Sequence, residues 1–262
     1  MENETENKPQ KSEKNAPYKM LIAGFCFVLI IIGIIYFVSN AIKLPSIQKD
    51  GSDPQQEFQA NLTSAENGNA KSQFLVGKSY VEGRGTGKNY IEALKWYRQS
   101  AAQGNADAQN AIGVCFEKGL GVKKDFKEAV EWYRKAEKQG NVQAMCNLGT
   151  CYYRGSGVKQ DYHEAVKWFE KASSRGDAQA QCNLGMCYLN GHGVAKDEKK
   201  AADLFQRSAD QGAVIAQYNL AYCFENGIGV NKNLDKARGL YKLAAEGGMR
   251  QAEKDVKRLK KK

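Results

Sequence analysis

The chain has 262 residues, 42% of them apolar and 26% charged, with only four prolines; that composition builds a sizeable core and excludes a wholly disordered polypeptide. The formal net charge is +10, and lysines gather at the two ends, in Lys8, Lys11, Lys14 and Lys19 and again from Lys254 to Lys262. Between the ends, acids and bases are interspersed as on solvated helix faces, and no RNA- or DNA-binding motif accompanies the terminal lysines, so a nucleic acid is not the expected partner.

Residues 1–19 are polar throughout and are expected to form a disordered tail. Residues 20–38, MLIAGFCFVLIIIGIIYFV, carry no charge. As a helix they would span about 28 Å, close to the roughly 30 Å of bilayer hydrocarbon, so one N-terminal transmembrane helix is expected. The run exceeds the ~7–15 apolar residues of a cleaved leader, which favours an uncleaved anchor. Four lysines precede it, and Lys43 and Lys49 follow. This bias places the N-terminus in the cytoplasm and the remainder outside it, as a single-pass membrane protein. Residues 39–57, with Pro45, Gly51 and Pro54, read as a linker. Residues 58–67 align with the end of a second helix of the unit that follows, and are expected to be an N-terminal capping half-repeat.

From Gly68 the chain repeats itself. Gly68, Gly104, Gly140, Gly176 and Gly212 open five copies of one 36-residue unit (68–103, 104–139, 140–175, 176–211 and 212–247), with no insertion between them. A period of this length means a unit that cannot bury its apolar side alone and stacks on its own copies. Within the third copy a first helix is predicted over Val142 to Tyr153, with Ala144, Leu148, Cys151 and Tyr152 on one face. It ends at Gly155, where glycine accepts the left-handed cap. Asp161 and Glu164 form a D-x-x-E capping box for a second helix, repeated as Asp125/Glu128 and Asn89/Glu92. The box is expected to be weaker at Asp197/Lys200 and Asn233/Lys236. The second helix is expected to bury Ala165, Trp168, Phe169 and Ala172. Residues 248–262 begin like a sixth first helix and become strongly charged, as a C-terminal capping helix would.

The pattern LGxCYxxGxGVxxDxxxAxxWFxKA resembles the Sel1-like repeat, a relative of the tetratricopeptide repeat. In the third copy it is carried by Leu148, Gly149, Tyr152, Gly155, Gly157, Val158, Asp161, Ala165, Trp168, Phe169 and Ala172. The departures are Thr86 for the valine, Leu204 and Leu240 for the tryptophan, and Ala221 and Arg238 in the fifth copy. The resemblance implies an all-α, right-handed α-solenoid of five helix–turn–helix repeats behind the membrane helix, serving as an interaction module for a protein or peptide partner.

Six of the seven cysteines lie in the repeats: Cys115, Cys151, Cys187 and Cys223 at one position, Cys146 and Cys182 at another. Cys146 and Cys151 point about 140° apart around their helix. Equivalent cysteines on packed neighbours sit about 8–10 Å apart, beyond disulfide reach. Some cysteine-rich bacterial members of the family clip the two helices of a repeat with a bridge, but no second helix here carries a cysteine. The six therefore read as small, reduced core residues, a state that sits better in a cytoplasm than in an oxidising space.

No catalytic, cofactor or metal constellation emerges. His163 and His192 lack metal-spaced partners and read as surface residues. Two S-x-x-K matches, at Ser46 and Ser156, lack the S-D-N and K-T-G motifs that β-lactam chemistry requires. What varies from copy to copy is a stripe on the first helices. It holds Phe74, Asn110, Cys146, Cys182 and Tyr218, then Lys78, Val114, Thr150, Met186 and Tyr222, then Val81, Glu117, Tyr153, Leu189 and Glu225. By analogy with tetratricopeptide solenoids this is the concave side. The groove candidates are Phe74, Asn110, Val114, Thr150, Tyr153, Met186, Leu189, Tyr218 and Tyr222; the alternative is that the stripe packs on neighbouring helices. The expected function is thus a membrane-anchored scaffold or adaptor without enzymatic activity. An envelope hydrolase of the cysteine-rich, β-lactamase-like type, or a subunit of an envelope or lumenal quality-control assembly, are the other classes.

Overall fold

A computed structural model describes residues 53–260. The expected tail, transmembrane helix and most of the linker lie outside the described residues, and no helix among the described residues is long and apolar enough to cross a membrane. The described residues contain twelve helices and no strand. The first helices of the five units are α2 (Ala70–Glu82), α4 (Ala106–Lys118), α6 (Val142–Arg154), α8 (Ala178–Asn190) and α10 (Val214–Asn226). The second helices are α3 (Tyr90–Ala102), α5 (Phe126–Lys138), α7 (Tyr162–Ser174), α9 (Glu198–Asp210) and α11 (Leu234–Glu246). A lone second-type helix, α1 (Pro54–Glu66), precedes them, and a lone first-type helix, α12 (Arg250–Leu259), follows. Pro54 lies within the stretch expected to be linker, and Asp53 accepts from Gln55 N–H at 3.1 Å to open α1 there. Each helix packs on the next in the chain, so every second helix is held between the first helices of its own and the following unit.

Regular lengths follow from the caps. Asn69, Asn105, Asn141 and Asp177 each accept a backbone N–H to open a first helix, whereas Ala213 and Met249 supply no side-chain cap. The second helices open on Asn89, Asp125, Asp161, Asp197 and Asn233. Here the capping-box expectation needs correction. The forward half forms, as in Glu164 N–H to Asp161 at 3.0 Å. The reciprocal half does not, because the cap residue's own N–H donates across the turn to the preceding first helix: Asp161 to Tyr152 O at 3.0 Å, with the same bond in every unit. Glu164 instead pairs with Lys167. Lys200 and Lys236 therefore cost the cap nothing, and their N–H groups donate to Asp197 and Asn233 at 2.9 Å like the others.

Two glycines shape each turn for different reasons. Gly155 takes φ +71 as the left-handed cap of α6, its N–H bonding Cys151 O. Gly157 takes φ +74, and a Cβ there would stand 2.2 Å from Phe126 O, on the first turn of the preceding second helix. The first glycine stops a helix; the second lets one unit touch the next.

The core runs along the array. Ala165, Phe169 and Ala172 are buried as expected, with Leu148, Tyr133 and Phe205. Trp168 is a correction. It is only half-buried, with Lys171 Nζ 4.1 Å over its ring, and its indole N–H is buried without a partner. It packs against the clusters on both sides, closing a seam between units. All six repeat cysteines are buried, free thiols. Burial pushes Cys115, Cys182, Cys187 and Cys223 up to about 11 and Cys151 to about 12, while Cys146 rises further.

Candidate functional site

Successive first helices are tied side by side by one recurring bond. Asn147 donates to Asn110 Oδ1 at 2.9 Å, Asn183 to Cys146 Sγ at 3.8 Å and Asn219 to Cys182 Sγ at 3.7 Å. The thiols that look like inert filler in the sequence therefore accept from the next unit's asparagine. Asn183 is fixed on its other side by Gln179, which donates to its Oδ1 at 3.0 Å. Asn219 also donates to Met186 Sδ at 3.5 Å.

Between these helices lies a cavity of about 440 Å3, within the size range of ligand sites. Thr150 and Tyr153 on α6 and Met186 on α8 line it, three of the groove candidates. Phe169 and Ile215 add apolar surface, and Arg154 is its one charged lining residue. A second cavity of about 260 Å3 joins three more candidates, Phe74, Asn110 and Val114. There Phe74 leans on Tyr97, ring centroids 5.7 Å apart, and Asn110 is buried.

The remaining candidates lie outside both cavities. Leu189 is half-buried against the central core. Tyr222 is open, at 47% exposure. Tyr218, expected on the open face, is instead partly covered: its hydroxyl donates to Asp255 of α12 at 3.1 Å and its ring meets Tyr241 at 5.2 Å. Burial and the neighbouring Asp255 carboxylate push its phenol above the ordinary value. Asp255 and Glu225 in turn bracket Arg258, which bonds Glu225 at 2.8 Å and Asp255 at 3.0 Å. These contacts seat the terminal helix. In the third row of the stripe, Glu117 and Glu225 accept from Tyr133 and Tyr241 at 2.6 and 3.1 Å, so at those units the row packs inward.

Sequence reasoning missed Gln179, Asn183 and Ile215. The recurrence of asparagine at Asn147, Asn183 and Asn219 was the available signal. His192 was also misplaced. It is half-buried, stacks on Tyr162 at 4.6 Å, and its Nδ1 lies 2.8 Å from Tyr153 Oη, which braces a side chain of the cavity. His163 is exposed, as expected. No group of three or more metal-ligating side chains occurs among the described residues.

Fold and site define a helix-pair solenoid with a cavitied face of first helices, the architecture of a repeat module. The chain belongs to the Sel1 repeat family: the Sel1 repeat profile matches residues 70–105, 106–141, 142–177, 178–212 and 214–249. Similar solved structures include a Sel1 repeat protein from Oxalobacter formigenes (32% identity, 79% of this chain and 87% of that one, TM-score 0.67). Another is a protective antigen present in uropathogenic Escherichia coli strains (33% identity, 87% of this chain but 47% of that one, TM-score 0.63). A third, from Klebsiella pneumoniae (22% identity, 79% and 99%, TM-score 0.55), shares the fold. A comparison with curated proteins returns no match. Sel1 repeat proteins are generally protein-interaction scaffolds.

Proposed function

We propose that this protein is a membrane-anchored scaffold that grips a partner protein on the face of its first helices, the concave side of the solenoid. Residues 20–38 supply the anchor. The lysine asymmetry around them supports an N-terminus in the cytoplasm and repeats outside it. One observation carries the interaction reading: three successive units contribute to the 440 Å3 cavity, which sets apolar Phe169, Met186 and Ile215 beside fixed polar groups. Ile215 and Tyr222, two helical turns apart on α10, stay 51% and 47% exposed and extend the surface beyond it. The test has two parts. A tag after Lys262 should be lost to external protease in intact cells or sealed spheroplasts; survival until lysis would put the repeats in the cytoplasm. A protein co-purifying with the full chain should be released by Met186→Lys and retained by Leu243→Lys on the opposite, second-helix surface; equal retention would count against the face.

A further inference from the structure

The charges around the two cavities differ in kind. In the smaller one they are answered within the chain: Lys78 lies 3.8 Å from Glu82, and Asp107 accepts from Asn141 at 2.8 Å. In the larger one the single charge is Arg154, exposed at the end of α6, with no ion pair or side-chain hydrogen bond to any described residue. Farther along the same lining are carboxamides already oriented by the Asn183–Cys146 and Gln179–Asn183 bonds. Each carboxamide has two N–H groups and two lone pairs, so each keeps hydrogen-bonding capacity beyond those contacts. Met186 and Ile215 supply apolar surface to the same lining.

We propose that this cavity receives an extended segment of the partner in which an aspartate or glutamate side chain stands next to an apolar one. The inference rests on the scaffold reading above and names what the scaffold holds. The carboxylate pairs with the Arg154 guanidinium, whose fork of donors suits it. The apolar neighbour lies on Met186, and the backbone runs on past the amides of Asn183 and Gln179 toward Ile215. An acidic side chain within a chain fits better than a chain terminus, because exposed apolar surface continues past the cavity to Tyr222. The competing role for Arg154 is to complement the C-terminal dipole of α6. That role would alter thermal stability and leave the charge preference of binding untouched.

The experiment uses the full chain in a nonionic detergent and fluorescein-labelled hexapeptide pools with blocked ends. The pools carry Glu, Gln or Lys beside a fixed leucine, and binding is read by fluorescence polarisation. The expected result is at least tenfold tighter binding of the Glu pool than of the Gln pool, with the margin shrinking as salt rises. Arg154→Gln should erase the preference, and Arg154→Glu should transfer it to the Lys pool, both with an unchanged melting temperature. Equal binding of Glu and Gln pools, or a preference that survives Arg154→Gln, overturns the acidic-segment inference; if Met186→Lys still abolishes that binding, the scaffold reading stands. No binding by any pool, together with partner capture indifferent to Met186→Lys, overturns both.

Discussion

Replacing Gly157 by alanine isolates what joins one repeat to the next. The residue sits at φ +74, where an L side chain costs about 1–2 kcal/mol. The added Cβ would also stand 2.2 Å from Phe126 O, 2.5 Å from its carbonyl carbon and 2.9 Å from Lys127 N. All three are backbone atoms, so relief requires the second and third units to move apart, an overpacking cost of about 1–3 kcal/mol. The sum is about 2–5 kcal/mol, a fall in Tm of about 4–20 °C for a domain of this size. Gly155→Ala is the internal control. Its φ is +71, but its nearest neighbour is Gln160 Cβ at 3.2 Å, relieved by a shift of a few tenths of an ångström within one turn, so it should lose little beyond the conformational part, about 1–2 kcal/mol. Urea titrations of both variants, followed by far-ultraviolet circular dichroism, measure the difference. Gly157→Ala should be the worse by at least about 1 kcal/mol. A Gly157→Ala variant as stable as Gly155→Ala would refute the claim that this glycine is required by contact between units.

Other outcomes follow from the same geometry. Ala213 has the backbone of Asn141 (φ −67, ψ 109 against −65, 115) without its capping side chain, so Ala213→Asn should stabilise the protein by about 0.5–1 kcal/mol in the same titration; no gain would mean that α10 is capped otherwise. The buried thiols stay protonated in the fold, so their contribution is complete below their ordinary value of 9.0 and is lost as pH rises toward about 11. Melting temperature should accordingly be flat from pH 7 to 8.5 and fall above 9. Native thiols should resist a disulfide reagent at pH 8 until the protein unfolds, and rapid labelling of all six would contradict their burial. Arg258→Ala takes the guanidinium from between Glu225 and Asp255, both largely buried; amide hydrogen exchange should quicken across α10–α12 and leave α2–α6 unchanged. Uniform acceleration would show that the terminal helix does more than seat the last unit.

The period, the glycine turns and the helix limits were legible because each is local: one cap residue, one stop residue and one apolar face per helix. What escaped the sequence was contact across units. The capping box was half right because Glu164 has the proper spacing, yet the Asp161 N–H is already taken by Tyr152 O across the turn. Tyr218 occupied a groove position, but its partner Asp255 stands 37 residues on, in a helix the pattern described only as charged. The asparagine-to-thiol bonds carry the same separation. His192 reaches Tyr153 across 39 residues, so neither residue's neighbours in sequence reveal the pair. Periodicity shows which positions are equivalent, not which of them touch in the next copy. The cavity between α6 and α8 could be read only in part for that reason: Thr150, Tyr153 and Met186 follow the helical stripe, whereas Gln179, Asn183 and Ile215 enter through the stacking of α8 and α10.

The most direct test of the interaction surface is site-specific photocrosslinking in living cells, with a benzophenone side chain placed at Met186 and, separately, at Leu243. Met186 lines the cavity on the first-helix face, while Leu243 is 49% exposed on a second helix. A discrete adduct from Met186 and none from Leu243 is the predicted result. No adduct from Met186, or the same adduct from both positions, would contradict the claim that the first helices hold the partner.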